Sequence, residues 1–200
     1  MVINVVLWPT ASIRDGYSLS LVAEGSPYKE ADPFDYGGGH VDPNRAIDPG
    51  LIFDMGISDY TDFLCSMGYN NSAVSSMTEH QAACHNAAPE SQKDLNLPSI
   101  SIPALRKRST ITRTVTNVGF ATSVYTARVE APPGVTMKVR PSVLSFNSTV
   151  TSLSFKVIFS SRFREQGRYS FGSLSWEDGV HSVRIPVAVR PAVDEFPIKR

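Results

Sequence analysis

Serine and histidine side chains together can carry out nucleophilic catalysis. Such catalysis needs a serine activated by a histidine and a carboxylate that orients the histidine. The chain has four histidines, but it contains no Gly-x-Ser-x-Gly elbow, and no other motif indicates that a serine and a histidine meet in the fold. His40, within Gly38-Gly39-His40-Val41, is interpreted as a hydrogen-bonded spacer in a glycine loop. We therefore predict that this chain has no catalytic residues of its own.

The two cysteines are the next candidates for chemistry. Cys65 and Cys84 lie about twenty residues apart, which suits a disulfide in a small secreted extension. His80 and His85 are close in sequence, so a zinc site has the right atom types, although the spacing matches no known finger. Free thiols are a further alternative. We predict the disulfide, and we predict no metal site and no other cofactor.

Two asparagines stand in acceptor sequons for N-glycosylation. Asn70-Asn71-Ser72 and Asn147-Ser148-Thr149 both lie in predicted turns, where a glycan has room. Occupancy requires the secretory route, so Asn70 and Asn147 are candidate sites on that condition.

The stretch from Phe34 to Asp54 must position whatever surrounds it. It contains three consecutive glycines and two Asp-Pro turns, and it ends in the apolar run Leu51-Ile52-Phe53. Glycine permits positive φ and close backbone approach, and proline presets φ for a turn. We predict a compact connector of fixed shape that packs against another part of the protein.

Helical periodicity follows the connector. Apolar residues recur every three to four positions across residues 60–67, and Gly68 ends the predicted helix. A second short helix is predicted after Ser72, with Val74 and Met77 facing inward.

From Leu97 onward the pattern changes to the alternation of β-strands. Residues 153–159 alternate most clearly, and seven or eight short strands are separated by turns. This pattern predicts a mainly β fold, an antiparallel β-sandwich. A β-bulge is predicted at Gly172-Ser173.

Charge and hydropathy exclude two classes of partner. The nineteen basic residues balance nineteen acidic residues, so the chain has no net charge that would attract nucleic acid or an anionic membrane. No apolar run approaches the roughly 20 residues that a membrane-spanning helix needs.

Several motifs together resemble one known family. The connector sequence YGGGHVDPNRAIDPGLIFD (36–54) resembles the segment of plant subtilisin-like serine proteases that leads from the peptidase domain into the C-terminal part. Similar matches follow the same order at residues 10–12, 59–69, 97–100 and 113–119.

The resemblance implies both a fold and a function. It implies a fibronectin-type-III-like sandwich preceded by a short helical and irregular remnant of an α/β peptidase domain. The family's catalytic serine lies in a Gly-Thr-Ser-Met-Ala motif, which this sequence lacks. We expect the C-terminal part of a subtilisin-like serine endopeptidase, inactive alone, whose sandwich buttresses the peptidase domain in cis. The alternative is a stand-alone, non-catalytic sandwich module that binds a protein partner.

Arg113 is the candidate residue for a domain interface. It shares a strand face with Ile111 and Val115, so its side chain points inward or into a domain contact, and a buried arginine needs a partner. The partner is either the peptidase domain of the family or a local carboxylate, and both alternatives stay open.

Localisation rests on the resemblance, which implies an extracellular or cell-wall protein. Residues 1–9 are apolar but short and lack a basic flank, so they are a poor signal peptide and are interpreted as a buried strand or an arbitrary start.

Three regions are expected along the chain. Residues 1–93 form the peptidase-domain remnant and helical connector, residues 94–191 form the sandwich, and residues 192–200 form a tail. The sandwich is expected to be stable alone. Residues 1–54 are expected to lose the cover of their apolar side chains, Leu51, Ile52 and Phe53 among them.

Overall fold

The computed structural model describes residues 2–25, 28–84, 89–161 and 167–192, without the side chains of residues 2–5 and 89–91. Most of the predicted tail therefore lies outside the described residues. The fold is mainly β, and a helical and irregular part precedes the sandwich.

The N-terminal part consists of short elements. Helix α1 spans Val2–Thr10, strands β1 (Val22–Ala23) and β2 (Lys29–Glu30) pair as a small antiparallel ladder, and helices α2 (Pro33–Tyr36) and α3 (Pro43–Ile47) follow. The buried-strand interpretation is wrong for residues 2–9, which are helical. A short continuous apolar run does not distinguish a strand from a buried helix.

The middle of the chain alternates between strand and helix. Strand β3 is Leu51–Ile52, helix α4 is Ile57–Ser66, helix α5 is Asn71–Thr78, and a 3-10 helix spans Pro89–Asp94. Both predicted helices are present. Val74 faces inward as expected, whereas Met77 is 52% exposed because the small cluster beneath α5 ends at Val74 and Ala82.

Eight longer strands complete the fold. They are β4 (Ile100–Leu105), β5 (Arg108–Asn117), β6 (Ser123–Glu130), β7 (Val135–Arg140), β8 (Val143–Phe146), β9 (Ser152–Ser161), β10 (Ser170–Glu177) and β11 (Ser182–Pro191).

These strands form two sheets. The order in the five-stranded sheet is β4-β11-β10-β6-β8, and the order in the four-stranded sheet is β3-β5-β9-β7. Neighbouring strands are antiparallel, except that β4 lies parallel to β11. No hairpin joins β4 to β11, so the connection between them imposes no antiparallel pairing.

The sandwich core lies between the sheets. Alternate residues of each strand point inward, as Phe155, Val157 and Phe159 do along β9. The largest buried side chains include Trp176 and Tyr125. Burying such side chains contributes roughly 1.5–3 kcal/mol each for large apolar residues.

The predicted bulge at Gly172-Ser173 is absent, since β10 and β11 pair without interruption from Ser170 to Glu177. Gly172 instead allows a close approach, because a Cβ there would collide with the carbonyl of Glu130 and with Pro132.

Candidate functional site

The connector, residues 34–54, is shaped by two capped helical turns. The Asp32 carboxylate accepts from the Phe34 amide at the start of α2, and the Asp42 carboxylate accepts from the amides of Asn44 and Arg45 at the start of α3. Proline is the first residue of both helices, where its missing amide proton costs nothing. Asp32-Pro33 and Asp42-Pro43 therefore start helical turns, whereas Asp48, before Pro49, lies at the end of α3.

The glycine run explains how the connector meets α1. A Cβ on Gly38 would lie 2.7 Å from the Trp8 carbonyl, and Gly39 has φ of +125° and packs on the backbone of Ser12. The backbones of Ser12 and His40 exchange hydrogen bonds of 2.8 Å. His40 therefore contributes its backbone, and its side chain is exposed.

Aromatic and charged side chains attach the connector to the outer face of β10 and β11. The Phe34 ring meets the rings of Tyr169 and Phe171 edge-on, with centroids 4.9 and 5.4 Å apart. The guanidinium of Arg184 lies 6.0 Å from the centroid of the Tyr36 ring. The connector thus forms a third layer over this part of the five-stranded sheet.

The end of the connector enters the sandwich core. Strand β3 pairs with β5, where Leu51 faces Asn117 and Ile52 faces Thr116. Leu51 and Phe53 are fully buried in the same cluster as Trp176. The expectation that these apolar residues lose their cover is wrong, because the sandwich itself provides it.

A buried histidine joins the connector to the sandwich. His181 Nδ1 lies 2.8 Å from the Asp178 carboxylate in the β10–β11 turn, and Nε2 lies 3.1 Å from Asp48 at the end of α3. The Nε2 contact does not have the geometry of a hydrogen bond, and it is an ion pair only while the ring is protonated. We call Asp48, Gly50, Tyr125, Asp178 and His181 the joint.

Gly50 lets the backbone pass between the joint side chains. Its φ is +71°, and a Cβ there would lie 2.5 Å from the Tyr125 hydroxyl and 2.7 Å from the His181 ring. Its carbonyl accepts from the amides of Val118 and Gly119 at 2.9 and 3.2 Å. Only glycine fits this conformation and this space without displacing neighbours.

The joint shifts three ionisation equilibria. Burial alone would raise the pKa of Asp178, but hydrogen bonds from the His181 ring and from the amides of His181 and Val180 lower it to about 2. Burial alone would lower the pKa of His181, but the carboxylates of Asp178 and Asp48 outweigh burial and raise it. Burial, together with Asp178 and Asp48, raises the pKa of Tyr125, so its hydroxyl stays neutral.

The joint therefore attaches the connector to the sandwich and does not supply a catalytic base. A general base needs a ring nitrogen that can reach a substrate. Both nitrogens of His181 face carboxylates, and the side chain is only 5% exposed.

Arg113 is buried against the segment that precedes the sandwich. Its guanidinium donates to the carbonyls of Lys93, Leu97, Ser99 and Thr112 at 2.8–3.1 Å. Burial lowers the pKa of Arg113 to about 10, opposed by the nearby Asp94 carboxylate, so the side chain is still charged at neutral pH. Backbone carbonyls of this chain thus accept the hydrogen bonds of the Arg113 guanidinium. The sequence had suggested the peptidase domain or a carboxylate as its partner.

The two cysteines are joined by a disulfide, with Cα atoms 5.3 Å apart. The bond ties α4 to the segment after α5 and forms a small cluster with Val74 and Ala82. The described residues contain no group of three or more His, Cys, Asp or Glu side chains that would hold a metal ion. His85 of the zinc alternative lies outside them.

Both sequon asparagines are exposed, and their side-chain oxygens are engaged locally. Asn70 Oδ1 accepts from the Ala73 amide and caps α5. Asn147 Oδ1 accepts from the amides of Thr149 and Val150 and from the Thr149 hydroxyl at 2.8–2.9 Å. These hydrogen bonds use the side-chain oxygen, and a glycan attaches to the side-chain nitrogen, Nδ2, of the same amide.

Comparisons with known proteins agree with the resemblance. Residues 94–189 match the fibronectin type-III domain family. The chain is 46% identical to subtilisin-like protease SBT3.6 of Arabidopsis thaliana over 196 residues, which cover 93% of this chain and 25% of that protein. It is 51% identical to SBT3.2 of the same plant, covering 93% of this chain and 27% of that protein.

The chain is related to the plant subtilisin-like proteases. It spans about a quarter of the length of these relatives. Among solved structures, the CupB2 chaperone of Pseudomonas aeruginosa aligns with a TM-score of 0.37 and 19% identity, covering 47% of this chain and 53% of that one. With a score this low, the alignment says nothing further about this chain.

The sequence did not predict the joint. Asp48-Pro49-Gly50 reads as an ordinary turn, and Asp178 reads as part of a hairpin turn. The spacing of Asp178 and His181 is a weak signal, because turns often contain such pairs. No helix among the described residues has the length and apolar character needed to cross a lipid bilayer.

Proposed function

We propose that this chain is the C-terminal part of a subtilisin-like serine endopeptidase and that its sandwich buttresses the peptidase domain. The observation that carries the proposal is the docked connector. One run of residues, 34–54, contacts α1 at its glycines and ends inside the sandwich core. Segments before the connector are thereby held in a fixed orientation to the sandwich.

Exposed apolar side chains around the joint support an interface with the peptidase domain. Ile47 is 84% exposed, Val180 is 75% exposed and Phe120 is 67% exposed. Ile47 precedes Asp48 in sequence, and Val180 precedes His181. Phe120 follows Gly119, which packs against Gly50 and His181. Apolar side chains that are exposed around one site favour burial against another surface.

A chimera tests the proposal. In Arabidopsis SBT3.2, the segment that matches this chain is replaced by the chain itself, and secretion, peptidase activity and thermal stability are measured. We expect an active chimera, loss of stability when Phe120→Ser and Val180→Ser are combined, and no loss for Val150→Ser, which is exposed elsewhere. Full activity and stability of SBT3.2 without the whole segment would contradict buttressing and favour the stand-alone protein-binding module.

The isolated chain should have no peptidase activity. A serine-directed fluorophosphonate should not label it, because among the described residues no serine hydroxyl is hydrogen-bonded to a histidine ring; the hydroxyl of Ser12, next to the exposed His40, bonds to the Arg14 carbonyl. Labelling of one specific serine in pure protein would contradict this part of the proposal.

The same proposal places the parent protease outside the cell. Passage through the secretory route should add N-linked glycans at Asn70 and Asn147, which are both exposed. Mass spectrometry of secreted protein, with Asn70→Gln and Asn147→Gln variants, measures the occupancy. Secreted protein with neither site occupied would contradict the expectation.

A further inference from the structure

Two carboxylates compete for one imidazole at the joint. Asp178 faces Nδ1 and Asp48 faces Nε2, at 2.8 and 3.1 Å. A neutral imidazole has one N–H donor, so it can donate to only one of these carboxylates, and its other nitrogen then presents a lone pair to the second. Only the protonated ring satisfies both contacts.

The two carboxylates belong to different parts of the protein. Asp178 lies in the β10–β11 turn of the sandwich and is 8% exposed, whereas Asp48 lies in the connector and is 61% exposed. A neutral ring should keep its proton on Nδ1, because that contact is shorter and more buried. Loss of the second proton therefore weakens the contact to the connector.

We propose that the joint is a proton-controlled latch, in which the imidazolium of His181 holds the connector on the sandwich and its deprotonation loosens residues 48–50. The latch rests on the geometry of this chain and is independent of the proposed protease function.

The other groups around the ring are compatible with this assignment. Tyr125 presents its hydroxyl 3.5 Å from Nδ1 and stays neutral. Arg45 of α3 lines the same small cleft, with its guanidinium donating to the Ser182 carbonyl at 2.6 Å. From the end of β5, the amides of Val118 and Gly119 donate to the Gly50 carbonyl, and Gly119 also packs beside the His181 ring without adding a charge.

The direction of the pH effect follows from the raised pKa of His181. Its stabilisation is fully present below the unfolded-state value of about 6.5 and is lost as pH rises through the higher folded-state value. The connector is therefore held below pH 6.5 and loosened as the pH rises through the folded-state pKa of His181.

NMR titration of the full chain provides the first test. The ring signal of His181, assigned with His181→Gln, should titrate with a midpoint above 6.5. Asp48→Asn should lower this midpoint, and Asp62→Asn, on the exposed face of α4, should leave it unchanged. A wild-type midpoint at or below 6.5, or no change in Asp48→Asn, would overturn the proposal.

Hydrogen exchange at the connector provides the second test. The amide of Val118, which donates to Gly50, should lose protection by about tenfold for each unit by which docking raises the pKa of His181. The amide of Gly119 also donates to Asn117 Oδ1, so it should lose less. Rates are corrected for the intrinsic effect of pH, and the core amide of Val157 is the internal reference. Equal changes at Val118, Gly119 and Val157, or the same loss in His181→Gln, would overturn the latch.

Discussion

Gly50 and His181 are the two residues at which the connector is fitted against the sandwich. Gly50 admits the connector to the core, and His181 ties it there through Asp48. Both belong to short turns, yet their contacts join segments that are far apart in sequence.

Replacing Gly50 by alanine should destabilise the protein by roughly 2–3 kcal/mol, because alanine is strained at positive φ and its Cβ meets Tyr125 and His181. Urea unfolding measures the change. Gly16→Ala is the matched control, since nothing lies within 4 Å of its Cβ position, and it should lose no stability. Equal stability of the two variants would contradict the packing described for the joint.

Asp178 should make stability fall in acid. Its pKa of about 2 lies below its ordinary value of 3.8, so its stabilisation is present above pH 3.8 and is lost as pH falls towards 2. The stability difference between wild type and Asp178→Asn should therefore shrink over this range in thermal unfolding. A difference that stays constant from pH 5 to pH 2 would count against the buried His181–Asp178 contact.

Arg113→Met should lower the free energy of unfolding by roughly 3 kcal/mol, because it leaves buried carbonyls without their donor. Arg128→Met, at an exposed surface ion pair, is the control and should change stability by at most about 1 kcal/mol. If both variants unfold at the same urea concentration, Arg113 does not organise the segment around residues 93–99.

At the scale of elements, regular strands were predictable and the connector's destination was not. The alternation over residues 153–159 matches β9 because one face of that strand is buried along its length. A two-residue strand such as β3 has no measurable period, and its partner residues Thr116 and Asn117 lie far along the chain. Tertiary pairing alone decides such a case.

The same limit applies to the candidate site. Cys65 and Cys84 were predictable as a pair because the chain has no other cysteine. The inward direction of Arg113 followed from strand parity, but its carbonyl partners come from an irregular segment without periodicity. Asp48 and His181 come together only when the connector docks.

The helical pair α4–α5 should depend on its disulfide more than the sandwich does. Its cluster of Cys65, Val74 and Ala82 is small, and a loop of this size is stabilised by about 3 kcal/mol in the chain-entropy model. Reduction should increase hydrogen exchange in α5 and leave β9 protected. Peptide mapping of oxidised protein that found both thiols free, or equal loss of protection in α5 and β9, would contradict this prediction.

At the scale of the whole molecule, residues far before the matched domain contribute to the sheet and core of the sandwich. Residues 94–189 match the fibronectin type-III domain family, but β3 and Phe53 complete the sheet and core from outside that range. Phe34, Tyr36 and Arg45 then cover the outer face of β10 and β11. The connector is a structural part of the sandwich and the link to what precedes it.

Hydrogen exchange of the full chain, followed by mass spectrometry of its peptides, tests this central claim most directly. Peptides covering residues 49–54 should exchange nearly as slowly as those covering residues 153–159, because Leu51 and Phe53 share the same buried core. Peptides covering residues 13–24, where Tyr17 and Leu19 are exposed, should exchange much faster. Exchange of residues 49–54 at the rate of residues 13–24, with residues 153–159 still protected, would contradict the docking of the connector in the core.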